Sequence, residues 1–359
     1  MKILALYLPQ FHETEDNNKW WGEGYTDWVA VKSAKPTSRC QRLPRIPLDE
    51  RYYDLSEDNA ATWKWQAELA QKNHIYGFVI YHYWFAGKKE LQRPVEILLK
   101  HKEININYSL CWDCSSWQRT WYGNEQEILI EQNYGDEKVW TKHFIDLLPF
   151  FQDTRYIKKD NKPVFHICRS IKINCLGEMR EVWDKLAQQY GFDGIYLVTE
   201  NQGQKIMHED AKYNFEPTGI MSRVKGWYAL YINVLGSLNK HTNRLKMFVH
   251  NTRSSRRTLK YIENQTIQHN VFAGTFCGYD DSPRRQKKGL IFTPVIPMDF
   301  QNNLEILMRK SKEVDNEYVY INAWNEWGEC AYLEPDVDYK YAYLQAVKNA
   351  YETYIQSEE

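Results

Sequence analysis

The pattern that most restricts the fold of this chain is an alternation. Short apolar runs at 3–8, 77–81, 107–111, 163–168, 194–198, 213–215, 271–276 and 318–323 have the length and composition of strands. Between and after them, stretches at 56–73, 94–102, 137–151, 176–190, 256–268, 302–312 and 340–354 carry helical periodicity, and 204–210 is a short candidate for another helix. Eight strands, each followed by a helix, is the count of a (β/α)8 barrel, an α/β TIM barrel. The 359 residues show no linker, repeat or low-complexity tract, so the expectation is a single domain over 1–359. Long loop insertions are expected at 11–53 and 218–255, on the C-terminal face. An open doubly wound sheet is the alternative. It usually carries a glycine-rich phosphate turn after its first strand, whereas here that strand runs into Pro9-Gln10-Phe11-His12.

In a barrel the C-terminal strand ends converge on one mouth, so residues at those ends are the candidates for chemistry. The second strand ends in Tyr81-His82-Tyr83-Trp84-Phe85. The third ends in Trp112-Asp113, with Trp117, Gln118, Arg119, Thr120 and Trp121 beyond. The seventh ends in Gly278-Tyr279-Asp280-Asp281-Ser282-Pro283-Arg284. The eighth opens into Asn322-Ala323-Trp324-Asn325-Glu326-Trp327-Gly328-Glu329, two carboxylates three residues apart among tryptophans. Glycosidic-bond chemistry needs an acid and a base at one sugar ring and flat apolar faces for that ring to stack on. The candidate catalytic pair is Glu326 and Glu329. Candidate substrate contacts are Gln10, His12, Trp28, Tyr81, His82, Trp84, Trp112, Asp113, Trp117, Arg119, Tyr279, Asp280, Asn325 and Trp327. If the turn between the glutamates is helical, their side chains share a face.

Composition agrees. Aromatic residues make up 15% of the chain, with 14 Trp and 26 Tyr, which suits a polyhydroxylated ligand. A net charge of -1 suggests neither nucleic acid nor an anionic membrane as partner. No apolar run reaches the roughly 18 residues of a membrane span, and no secretory signal precedes the first strand. The seven scattered cysteines make no disulfide framework, so a reducing, cytoplasmic location is expected. Neither a metal nor a cofactor is expected. Cys111-Trp112-Asp113-Cys114 is a lone C-x-x-C without a second pair. Asp336-Val337-Asp338 has the D-x-D form of some metal-binding transferases, but follows Pro335 at a helix start, where Asp is common for capping.

Several motifs together resemble the WbsX-type proteins, encoded with bacterial O-antigen and capsule genes and often labelled glycosyltransferases. They are Leu8-Pro9-Gln10-Phe11-His12, Lys19-Trp20-Trp21-Gly22, the Tyr81–Phe85 and Gly278–Arg284 clusters, Lys162-Pro163-Val164, and the segments 153–156 and 322–336. That group is similar to glycoside hydrolase family 99, the endo-α-mannosidases and endo-α-mannanases, which are (β/α)8 barrels. The Asn-Glu-Trp-x-Glu motif of family 99 matches Asn325-Glu326-Trp327-Gly328-Glu329. The resemblance implies that Glu326 deprotonates the sugar 2-hydroxyl, giving a 1,2-anhydro sugar with retention, while Glu329 acts as acid and then base. On that reading Trp324 and Trp327 would raise the pKa of the acid, and His82, Arg119 or Asn325 would keep the base ionised. One departure stands out: the Trp112–Trp117 segment lacks the glutamate usual after the third strand in WbsX relatives. The functions implied are an enzyme acting on an oligosaccharide or polysaccharide, a nucleotide-sugar glycosyltransferase, or a non-catalytic glycan-binding protein.

Overall fold

The computed structural model describes residues 1–37, 41–119, 127–205, 207–223, 230, 234 and 251–358. The expected insertion at 218–255, and Thr120 and Trp121, lie wholly or largely outside them. Eight strands form the barrel: β1 (Lys2–Tyr7), β2 (Ile75–Phe85), β3 (Asn107–Asp113), β4 (Lys162–Cys168), β5 (Tyr196–Glu200), β6 (Ala211–Tyr213), β7 (Val271–Phe276) and β8 (Tyr318–Asn322). Each pairs in parallel with the next, and β8 pairs with β1, so the sheet closes on itself. The helices α1 (Ala61–Lys72), α2 (Arg93–Lys100), α3 (Glu137–Phe151), α4 (Leu176–Gln189), α5 (Ser255–Glu263), α6 (Pro297–Glu313) and α7 (Ala342–Gln356) follow β1 to β4 and β6 to β8.

The expected helix at 204–210 does not form among its described residues. The connection is short, and Lys212 Nζ donates to the carbonyls of Gln204 at 2.6 Å and Lys205 at 3.1 Å. The helix expected from 56 begins instead at Ala61. Ahead of it, Asp54 and Asn59 accept from the backbone N–H groups of Ser56 and Ala61, and these local turns compete with helix. The second strand runs past 81 to Phe85 because Tyr83–Phe85 pair antiparallel with Lys88–Glu90.

Strand residues alternate between two cores. Leu4, Leu6, Val79, Cys111, Val164, Cys168, Tyr196, Val198, Tyr213, Phe272, Tyr318 and Tyr320 fill the barrel interior. Ile3, Ala5, Tyr7, Phe78, Ile80, Leu110, Trp112, Phe165, Ile167, Val319 and Ile321 face the helices. The interior is aromatic and polar: Tyr213 stacks on Tyr320 with centroids 5.1 Å apart, and the Tyr320 hydroxyl lies 2.8 Å from His166 Nε2.

Candidate active site

The acidic motif follows β8 as a small hairpin. Asn325–Glu326 pair antiparallel with Ala331–Tyr332, and Trp327–Glu329 form a single 3₁₀ turn between them. With three residues per turn, side chains three apart are eclipsed, so Glu326 and Glu329 project the same way. Asn325 is fully buried and locks the hairpin to the end of β1. Its Oδ1 accepts from Leu8 N at 2.8 Å, and its Nδ2 donates to Leu8 O at 3.0 Å.

The two carboxylates meet on one guanidinium. Arg284 donates from Nη2 to Glu326 at 2.6 Å and from Nη1 to Glu329 at 3.3 Å. Its Nε and Nη2 also grip both oxygens of Asp27, at 3.2 and 3.0 Å. Such forked, charge-assisted pairs fix geometry as well as charge. Gly328 makes this approach possible, because a Cβ there would stand 2.5 Å from Arg284 Nε. Three carboxylates against one cation leave excess negative charge in a buried place, which favours retaining a proton. Burial pushes Glu326 up to about 8, with Arg284 opposing and Glu329 and Asp27 reinforcing the shift. Asp281 is likewise pushed up to about 7, first by burial and then by Glu329.

These groups open into a cavity of about 530 Å³ at the C-terminal strand ends. All eight strands contribute: Leu8 and Gln10 after β1, Tyr81 and Tyr83, Asp113, Cys168, Glu200, Phe215 after β6, Tyr279 after β7, and the two glutamates after β8. A second cavity of about 370 Å³ adjoins it, sharing Gln10, Asp113, Trp117, Arg169 and Arg285, and adds Trp20, Trp21, Ser115, Ser116 and Lys172.

The family model for glycosyltransferase WbsX matches residues 3–347, nearly the whole chain. The chain belongs to the WbsX family. Two curated relatives, both an uncharacterized protein WxcX from strains of Xanthomonas campestris pv. campestris, ATCC 33913 and B100, are each 27% identical over 362 residues and 97% of this chain. The chain spans about half the length of these relatives, 49% of each. Among solved structures, the GH99 endo-alpha-mannosidase from Bacteroides thetaiotaomicron matches with a TM-score of 0.57 at 11% identity, covering 99% of this chain and 98% of that one. A glycoside hydrolase-like protein matches with a TM-score of 0.59 at 11% identity, covering 97% and 93%. These likenesses show the fold: a WbsX chain folded as the GH99 barrel is. By family and fold this is a carbohydrate-active-enzyme-like protein.

In this WbsX barrel, Gln10, Tyr81, Asp113, Trp117, Tyr279, Glu326 and Glu329 come together around the cleft. Other sequence candidates do not line it. His82, Trp84 and Trp112 have the opposite strand parity and turn outward: His82 Nε2 sits 3.0 Å from His143 Nε2, Trp84 stacks on His143, and Trp112 donates to Trp84 O. Burial holds His82 neutral, with its pKa lowered to about 3. His12 is buried beside the Lys88–Glu90 hairpin, against a different cavity. Trp28 packs on Phe11 and Trp327 and donates to Tyr53 O. Asp280 accepts from Gln41. Arg119 pairs with Glu127, donates to Trp20 O and stands over the Trp21 ring, and it lines neither cavity.

The donors named for the ionised carboxylate, His82, Arg119 and Asn325, are all engaged elsewhere, and Arg284 fills that place. Trp324 and Trp327 do not direct their indole N–H groups at the candidate pair either. Both indoles donate to Glu334, at 3.1 and 2.7 Å, and it is burial that raises a carboxyl, that of Glu326. Sequence reasoning did not select Asp27 or Glu200, and it named Tyr83 and Arg284 only as members of strand-end clusters, without a role. Period-2 parity continued past each strand end would have selected Tyr83 and Glu200. Asp336 of the D-x-D accepts from the Tyr332 hydroxyl and Tyr339 N, a local turn. Among the described residues there is no group of three His, Cys, Asp or Glu placed to hold a metal, and no helix is long and apolar enough to cross a membrane.

Proposed function

We propose that this cleft breaks or transfers glycosidic bonds of a bacterial surface polysaccharide or its precursor, with retention, through Glu326 and Glu329. The observation that carries this reading is the presentation of both carboxylates into one aromatic-walled cleft, each bound to the Arg284 guanidinium. In the first step Glu326 takes the proton of the sugar 2-hydroxyl. The freed oxygen attacks the anomeric carbon, the bond to the departing oxygen breaks, and Glu329 protonates that oxygen. The product is a 1,2-anhydro sugar. In the second step Glu329 removes a proton from the incoming hydroxyl, which opens the anhydro ring at the anomeric carbon, and Glu326 returns its proton to the 2-oxygen. Two inversions give net retention. Arg284 is a positioning residue that opposes the effect of burial on Glu326. The description of the family as glycosyltransferases favours a sugar hydroxyl over water as acceptor, with the same chemistry at the glutamates.

The test compares kcat/KM on natural glycosides and on glycosides with a good leaving group, once mass spectrometry of surface polysaccharide digests has supplied a substrate. Glu329→Gln should lose about 10²–10⁴-fold on natural substrates and be partly spared on activated ones, which need little protonation. Glu326→Gln should be impaired on both, and a 2-deoxy analogue should not turn over. Normal turnover of the 2-deoxy sugar, or a Glu326→Gln variant within a few-fold of wild type, would refute this mechanism. Extension from a nucleotide sugar would replace it with the transferase reading.

A further inference from the structure

Two cations beside the catalytic cleft converge on one neutral hydroxyl. Arg169 follows β4, and Lys172 ends the 3₁₀ turn Ser170–Lys172. Arg169 Nη1 lies 3.4 Å and Lys172 Nζ 3.3 Å from Ser115 Oγ. Neither makes an ion pair within 4.0 Å among the described residues. Asp113 and Glu200 act on the Arg169 side chain through longer-range attraction, and the Glu200 carboxylate contacts only its backbone N–H, at 3.2 Å. Like charges gathered on a hydroxyl repel one another, and an anion bridging them would reverse that repulsion. Arg169 also has φ 53, a left-handed conformation that residues with side chains seldom adopt and that recurs at ligand clamps.

The same groove supplies apolar faces. Trp20 and Trp117 stand edge to face with centroids 5.8 Å apart, both partly exposed, and Trp117 lines both cavities. Such rings receive the C–H face of a sugar. Ser115 lies in the Trp112–Trp117 segment that follows β3.

We propose that this groove is a subsite for an acidic sugar residue. Its carboxylate bridges Arg169 and Lys172 and its ring lies against Trp20 and Trp117, so the glycan processed at Glu326 and Glu329 is anionic. The assignment rests on reading the adjoining cleft as a glycan-processing site, and it specifies the substrate class.

The experiment uses monosaccharides, which contain no glycosidic bond, so its outcome is independent of turnover. Saturation-transfer NMR on the full chain compares glucuronate with its neutral methyl ester, and with glucose 6-phosphate and glucose 6-sulfate, at low salt. Glucuronate should bind at least about fivefold more strongly than its ester, as expected for a charge-assisted contact. Arg169→Gln combined with Lys172→Gln should reduce it to the level of the ester. Ser115→Glu, which supplies an internal carboxylate to both cations, should do the same in a chain whose thermal unfolding shows it folded. Equal binding of acid and ester, or unchanged glucuronate binding in either variant, would overturn the proposal. A clear preference for the phosphate or sulfate sugar would overturn the carboxylate assignment. Glucuronate binding with no effect of the glutamate substitutions on activity would count against the catalytic reading alone.

Discussion

At the scale of the residue, the deciding fact is that Glu326 is the buried member of the pair. Its folded pKa of about 8 lies above the ordinary carboxyl value, chiefly because burial disfavours the charge. The 2-hydroxyl mechanism needs it ionised, and kcat/KM reports the protonation state of the free enzyme. As pH rises from 6 the ionised fraction grows, so kcat/KM should climb nearly tenfold per unit up to about pH 7, bend near the pKa of about 8 and level off above it. A pH–rate profile on an activated substrate checks this. A falling limb across the same window would make Glu326 the acid and reverse the roles of the two glutamates.

At the scale of the element, the hairpin after β8 shows how a local turn and a distant side chain depend on each other. The 3₁₀ turn eclipses Glu326 and Glu329, and Gly328 between them leaves its face open to the Arg284 guanidinium. Gly328→Ala should push that guanidinium off at least one carboxylate while leaving the hairpin paired. Misplacing a positioning group by about 1 Å can cost about 10²-fold, so a loss of that order in kcat/KM is expected. The unfolding midpoint should fall as well, because the displaced guanidinium is buried against the Asp27 and Glu326 carboxylates. Wild-type kcat/KM in the Gly328→Ala variant would show that Arg284 does not position the pair. At this scale the alternation of cores also explains why outward-facing Trp84 and Trp112 looked, in the sequence, like ligand-stacking rings.

At the scale of the molecule, buried Glu334 ties the insertion, the first helix and the motif together. It accepts from Gln66 of α1 at 2.7 Å, the Tyr53 hydroxyl at 2.9 Å, and the Trp324 and Trp327 indoles at 3.1 and 2.7 Å. The Tyr7 hydroxyl of β1 in turn donates to Gln66 at 2.8 Å. Burial pushes Glu334 up to about 7 although its four donors pull the other way. In Glu334→Gln, one orientation of the amide sets its NH₂ against the Gln66 and Trp324 donors, and the other sets it against the Trp327 indole and the Tyr53 hydroxyl, which can turn to accept. The better orientation leaves the Trp327 donor unsatisfied, at a cost of about 1–3 kcal/mol, so the variant should lose about that much in urea unfolding at pH 8. A loss below about 0.5 kcal/mol would mean that the network is not what holds the motif against β1 and α1.

The sequence by itself determined the barrel and the position of its acidic pair. Apolar strands and amphipathic helices are local patterns, and a parallel sheet with helical crossovers is the arrangement that buries both. A carboxylate pair past the last strand follows from the same local reading. Tertiary structure alone decided which neighbours those carboxylates have. Asp27 and Arg284 are 257 residues apart and meet at 3.0 Å only because the loop after β1 folds over the loop after β7. Tryptophans adjacent to the glutamates in sequence turn away to Glu334. Periodicity records which face a side chain takes, but contacts between charges depend on distances that exist only once the barrel has closed.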